Sequence, residues 1–301
     1  MSPGNIFIKQ QMKVVFKNLY SLLPFKQQLF SVVRKMVVLP NSISKHLYFN
    51  GIVSFKVNDR IVRMNQKGYD VENTLFWRGT KGCWEKVSVG IWIRLSGVSK
   101  MIFDVGANTG AYALIAKAAS PDAVVYAVEP LKMISERLEA NIALNKMDIK
   151  CIPFAMSDFD GVAKVYLDSL DHIYSVTVNK NLSPANVPVH EVEIQTKKMS
   201  TLIEDEKIEF IDLIKIDVET HEPEMLRGMG DYLRKWKPTL IIEILTDEVG
   251  QSVEQILSGM DYLYFNVDEN QGIRQVDHIG KSDYYNYIIC SAEKAKFLNL
   301  V

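Results

Sequence analysis

Met101-Ile102-Phe103-Asp104-Val105-Gly106-Ala107-Asn108-Thr109-Gly110 sets the fold class of this chain. Its first five residues are a short, mostly apolar run carrying one acid, the pattern of a buried strand. Two glycines then turn the backbone toward a helix that starts near Ala111. Glycine admits positive φ and lets a ligand approach the main chain, and a helix N-terminus offers N–H groups without partners of their own. Strand, glycine turn and helix together predict a doubly wound α/β sheet with a nucleotide-type pocket beyond the strand's carboxyl end.

The chemistry of the turn selects the ligand. A dinucleotide needs G-x-G-x-x-G so that its pyrophosphate can reach the helix start, and the third glycine is missing here. Asp104 precedes the turn. An acid there repels a pyrophosphate but suits a ligand with an amino group and a sulfonium. Asp104, Gly106, Asn108 and Gly110 are therefore read as contacts to S-adenosylmethionine (SAM), with a nicotinamide dinucleotide the poorer fit.

With 301 residues, 48% of them hydrophobic, the chain can hold one large α/β domain and an appendage. Net charge is −1, so no global field argues for a nucleic-acid partner. The distribution is uneven: eight cations and no acid precede Asp59, which leaves −9 for the remainder. Cys83, Cys151 and Cys290 form no spaced pair, which suits a reducing compartment, and the protein is expected in the cytoplasm.

The organisation expected is a basic amphipathic helical segment over 1–40, a hairpin and lead-in helix over 41–98, and a catalytic domain over 99–301. In 6–38 the apolar residues recur at helical spacing and Pro24 divides two segments. Such helices either cover the main domain or a dimer partner, or lie peripherally on a membrane. Asn58-Asp59 punctuates two β-rich runs and predicts a hairpin, and 84–95 predicts a helix stopped at Gly97. Strands then alternate with helices: 101–105, 111–119, 123–128, 131–145, 150–154, and again from 211 through helix 222–235 to strands 239–245, 262–267 and 285–290. Alternation of this kind means a parallel sheet covered on both faces. Between the two halves, 163–167 and 191–196 read as strands around a polar loop, 169–188.

Glu129 ends the second strand, where a carboxylate can accept hydrogen bonds from both ribose hydroxyls. Asp158, after the third strand, is placed to meet an adenine amino group. With these in order, the sequence resembles the FkbM family of SAM-dependent methyltransferases. The resemblance rests on Phe103-Asp104-Val105-Gly106-Ala107-Asn108-Thr109-Gly110-Ala111-Tyr112, on Val128-Glu129-Pro130 with Asn141 and Asn145, and on Asp212-Leu213-Ile214-Lys215-Ile216-Asp217-Val218-Glu219. Residues 222–228, Lys237-Pro238, Ile242-Glu243 and Asn286-Tyr287 are also similar. It implies a Rossmann-like class I methyltransferase sheet of seven strands, the last antiparallel, and methyl transfer to an oxygen. Members of the family mostly methylate hydroxyls of sugars or polyketides. Where the family usually has glycine after the second acid of Asp-x-Glu, this chain has Thr220, which bears on the acceptor more than on SAM.

Methyl transfer from a sulfonium is an in-line displacement that also needs a group to take the hydroxyl proton. Asp217, Glu219, His221 and Glu222 cluster at the end of the fourth strand. His221, which titrates near neutrality, is the first candidate for general base. Asp217 and Glu219 either orient the acceptor and the cofactor's amino group or, with Glu243, hold a divalent cation; the first is preferred, since no spacing fixes a coordination shell. Lys215 interrupts an apolar strand and is expected to pair with a carboxylate of this cluster. The loop 169–188 is the natural acceptor lid, with Tyr174 to stack on a sugar and His172 as a second candidate base. The function expected is O-methylation of a sugar or glycoconjugate hydroxyl. A small secondary metabolite as acceptor and a SAM-binding module without turnover are the alternatives.

Overall fold

The computed structural model describes Tyr20 and residues 24–167 and 190–301. Helix Lys26–Met36 begins just after Pro24; most of the amphipathic segment before it lies outside the described residues. A short helix, Asn41–Ser44, leads into the hairpin β1 (Gly51–Val57) and β2 (Arg60–Gln66), whose turn is made by Asn58 in a left-handed conformation that asparagine tolerates. Helix Asp70–Arg78 follows, with no counterpart in the sequence reading, because it buries Glu72, Asn73 and Thr74 and so lacks an apolar stripe. Helix Lys86–Ser96 is closed by Gly97.

The core then runs β3 (Met101–Val105), helix Ala111–Ala119, β4 (Val124–Val128), helix Lys132–Asn145 and β5 (Lys150–Ile152). The third expected strand stops early because Pro153, which has no N–H to give a ladder, separates β5 from β6 (Ala155–Ser157). A second, small sheet is formed where β6 pairs in parallel with β8 (His190–Lys198), which pairs antiparallel with β7 (Gly161–Leu167). After helix Met199–Asp205 come β9 (Leu213–Ile216) and the region expected as one helix. It is two, Glu222–Gly228 and Asp231–Trp236, parted where Gly230 takes a φ of 56°. The chain closes through β10 (Thr239–Glu243), helix Asp247–Leu257, β11 (Leu263–Asp268), β12 (Gly272–Val276), β13 (Asn286–Cys290) and helix Ala292–Leu298.

The main sheet has the order β12-β11-β13-β10-β9-β3-β4-β5. β5, β4, β3, β9 and β10 are mutually parallel, and β13 is inserted antiparallel between β10 and β11. This is the doubly wound, Rossmann-like sheet with its last strand reversed. β12 adds an eighth, edge strand of mixed polarity that the sequence pattern does not announce.

Side chains alternate across the sheet. Ile102 and Leu213 join the core on one face, and Phe103, Val105, Ile214 and Ile216 the core on the other. Asp104 and Lys215 therefore fall on the first face, as register partners on neighbouring strands. That face is covered by helix Ala111–Ala119 and by the hairpin, whose Val53, Phe55, Val62 and Met64 share one core with Ile102, Leu114 and Leu138. Two asparagines of helix Lys132–Asn145 lock β2 in place. Asn141 Oδ1 accepts the Asn65 backbone N–H at 2.8 Å, and Asn145 Oδ1 accepts that of Arg63 at 2.8 Å.

Candidate active site

The carboxyl ends of β3, β4 and β9 open onto a cavity roofed by the small sheet. Gly106, Asn108 and Glu129 form one wall, Asp217, Glu219 and His221 another. Met156, Phe159, Val165 and Ile194 make the remaining side apolar. Gly106 has a φ of 83°, and a Cβ there would lie 1.8 Å from the Asp217 carbonyl oxygen. Only glycine lets the turn after β3 approach the end of β9 so closely. Its N–H and that of Ala107 both donate to Val128 O, at 3.0 and 2.9 Å. Gly110 suits its place for a different reason, a φ of 92° that side-chain-bearing residues rarely adopt, and a Cβ there would also displace the tip of Leu138.

Glu129 is fixed by two backbone donors: Asn108 N–H to Oε2 at 3.1 Å and Leu131 N–H to Oε1 at 3.0 Å. Burial pushes its pKa up to about 7, against the pull of those two hydrogen bonds. Each oxygen keeps a lone pair free for a hydroxyl donor. These two acceptor oxygens thus fit the ribose diol of SAM, and the glycine cradle fits its close approach.

Asp104 stands behind the cavity wall rather than in it. The residue is fully buried, and neither carboxylate oxygen has a hydrogen-bond partner among the described residues. Burial raises its pKa to about 6 while Lys215 pulls it back. The Lys215 ammonium turns to Asp217 instead, 2.6 Å from Oδ2, and lies 4.5 Å from the centre of the Tyr112 ring. Burial alone would lower the Lys215 pKa, but Asp217, Asp104 and Glu85 hold it above its ordinary value. Glu85, which nothing in the sequence singles out, completes this buried group and accepts the Tyr112 hydroxyl.

At the end of β9 the backbone is strained. Glu219 and Thr220 both lie in the left-handed region, with φ of 55° and 78°. Thr220 stands where the resemblance implies a glycine, and a positive φ is a conformation that glycine adopts without strain. Glu222 holds the turn. Buried at the start of the next helix, it accepts the N–H of Val218 and of Thr220 on Oε1, at 3.1 and 3.3 Å. Burial pushes the Glu222 pKa up to about 8 and that of Glu219 to about 7.

His221 faces the cavity with Nε2 3.0 Å from Ser157 Oγ and Nδ1 3.5 Å from Glu224 Oε2. The carboxylate favours the proton on Nδ1 and leaves Nε2 as the basic nitrogen. Burial lowers the His221 pKa, against the pull of Glu224 and Asp158, which favours the neutral ring. Asp158 is directed at Arg227, 3.6 Å from its Nε, and the cavity end beside it is lined by Ala155, Met156 and Phe159 instead. His172 and Tyr174 lie outside the described residues.

Glu243 sits at the end of β10. Burial and the charges of Asp217 and Glu219 push its pKa to about 10. For the cation expected as the lesser alternative, no group of three His, Cys, Asp or Glu side chains among the described residues is arranged to hold a metal ion. Nor is any helix among them long and apolar enough to cross a membrane.

A family model described as the methyltransferase FkbM domain matches residues 104–272, more than half of the chain. The chain is 27% identical over 155 residues to the 31-O-demethyl-FK506 methyltransferase FkbM of Streptomyces tacrolimicus, covering 44% of this chain and 60% of that protein. It is 26% identical over 187 residues to the methyltransferase sdnD of Sordaria araneosa, covering 50% of this chain and 72% of that one. Among solved structures it is similar to a methyltransferase FkbM from Methylobacillus flagellatus KT, with a TM-score of 0.40 and 17% identity over 64% of this chain and 43% of that chain.

Proposed function

The chain belongs to the FkbM family of SAM-dependent methyltransferases, and from that premise we propose that it methylates a hydroxyl group of a sugar or glycoconjugate. The observation that carries this reading is the rim of acceptors opposite Glu129. Asp217 and Glu219 line the cavity beside His221, so several hydroxyls of one polyol can be satisfied together. Bound in this cavity, SAM supplies a methyl group on a positively charged sulfur to the acceptor oxygen.

The chain's own residues supply the rest. Glu129 takes the ribose hydroxyls, and the carboxylates of Asp217 and Glu219 face the cationic end. His221 Nε2 receives the proton that the acceptor hydroxyl gives up, with Glu224 stabilising the charge that forms on the ring. Met156, Phe159, Val165 and Ile194 keep water from the apolar side. Three cysteines without a spaced pair suit the reducing cytoplasm, where this reading places the protein.

A second reading, methylation of a small secondary metabolite, is favoured by the similarity to a protein named for the 31-oxygen of demethyl-FK506. Incubation with isotopically labelled SAM separates the two. Label on a glycan or glycolipid hydroxyl supports the proposal; label confined to small polyketide or macrolide alcohols replaces it with the second reading; SAM binding with no transfer to either class leaves a binding module.

A further inference from the structure

Helix Lys26–Met36 has one face committed to the fold and one that is not. On the inner face Phe30 is buried, 5.4 Å between ring centres from Trp77 and 6.3 Å from Phe49. Arg34, also turned inward, donates to the carbonyl oxygens of Ser54 and Phe76 and lies 4.2 Å over the Phe76 ring. The outer face carries Leu29, Val32 and Met36 at helical spacing, with Phe25 before them and Val38 after, all exposed. Phe25 is 74%, Met36 80% and Val38 84% exposed, so these are not the grazed edges of a core.

A contiguous apolar stripe of this kind calls for an occupant, and charge says which. Every charged residue before Asp59 is a cation, eight in all, while the remainder of the chain carries −9. Lys35 precedes Met36 in the sequence, and Lys26, which follows Phe25, lies 4.3 Å over the Tyr20 ring and keeps its charge there. A second copy packed two-fold on the same stripe would set these cations against their own equivalents. An uncharged apolar partner would offer this cationic segment no counter-charge. An anionic lipid surface answers both features: the apolar side chains enter the boundary between headgroups and acyl chains, and the lysines meet phosphate. With 11 residues the helix lies on such a surface and does not span it.

We infer that the face of helix Lys26–Met36 bearing Leu29, Val32 and Met36 docks the protein on an anionic membrane surface. The site of methyl transfer would then be held beside acceptors attached to lipid, although the docking itself does not depend on what is methylated.

The test is sedimentation of the full chain with vesicles of phosphatidylcholine alone and of phosphatidylcholine mixed with phosphatidylglycerol. Binding to the mixed vesicles, weak on the neutral ones and falling as salt is raised, is expected. The triple variant Leu29→Gln, Val32→Gln, Met36→Gln should lower that binding about tenfold or more, while its SAM affinity, measured by calorimetry, stays as in the parent and shows that the fold is intact. Equal binding to neutral and anionic vesicles, unchanged binding by the triple variant, or a parent that is dimeric by light scattering and becomes monomeric in the variant without binding vesicles would each overturn the inference.

Discussion

The carboxylate of Glu222 accepts the backbone N–H of Val218 at 3.1 Å, so the first residue of one helix holds the end of the strand that precedes it. The same oxygen accepts the N–H of Thr220, and together these contacts keep two consecutive side-chain-bearing residues at positive φ. The turn that presents Asp217 and Glu219 to the cavity is therefore a strained one under restraint.

Relief of that strain is measurable. Thr220→Gly should stabilise the protein by about 1 kcal/mol, the left-handed cost of a β-branched residue offset in part by glycine's freedom in the unfolded chain. Urea unfolding checks it. A destabilised variant would mean that the Thr220 side chain contributes contacts that outweigh its backbone.

Removal of the buried cation should have the opposite effect. Lys215→Met leaves the buried Asp104, and Asp217 at the cavity wall, without their counter-charge, and a loss of about 2–3 kcal/mol is expected, less than for a fully buried pair because Asp217 is partly open to the cavity. Calorimetric melting of the free protein reads this, and a change under about 1 kcal/mol would show that the carboxylates had simply taken up protons.

Stability should fall as pH rises through the neutral range. Burial lifts Asp104 to about 6, Glu129 and Glu219 to about 7 and Glu222 to about 8. Between the ordinary carboxylate range and those values the folded chain holds protons that the unfolded chain has released, so each rise in pH favours unfolding. About 1 kcal/mol per pH unit is expected from one net proton. Urea midpoints at pH 6 and pH 8 measure the slope, and SAM, being cationic, should stabilise more at the higher pH.

His221→Gln should lower turnover by about 10²–10⁴-fold and leave SAM affinity unchanged. Because burial depresses the His221 pKa, the acid limb of the parent's rate profile should fall below the ordinary histidine range. Retention of that limb in the variant would move the base to a carboxylate of the rim.

Glu129→Gln places an amide NH₂ against one of the two backbone N–H donors, Asn108 or Leu131, that now point at the carboxylate. SAM affinity should drop about tenfold or more; calorimetry decides.

The parts of this molecule written in short-range pattern are legible in the sequence. The run Met101 to Val105 alternates correctly across the sheet, Gly106 turns where its glycine predicts, and Asn58 makes the hairpin turn. What escaped reading depends on partners far away in sequence. Asp104 looked like a ligand contact because it ends a strand beside the turn, but the two-residue period puts it on the face covered by helix Ala111–Ala119. Asp158 is drawn to Arg227, and the helix Asp70–Arg78 hides its polar residues against distant elements. Glu72 is the sharpest case: fully buried, it accepts the hydroxyl of Thr109 in the cofactor turn 37 residues later, at 2.8 Å.

The two asparagines that lock the hairpin set an order of events in synthesis. β2 leaves the ribosome first, yet its partners Asn141 and Asn145 lie 76 and 82 residues behind Asn65 and Arg63. Until helix Lys132–Asn145 has been made, Val53, Phe55, Val62 and Met64 have no complete core to enter, and the edge of a two-stranded ribbon stands open to water. The nascent chain thus carries an unfinished hairpin through most of the translation of the first half of the sheet. A pause in translation placed shortly after residue 66 should raise its demand for chaperones more than one placed after helix Lys132–Asn145 has emerged.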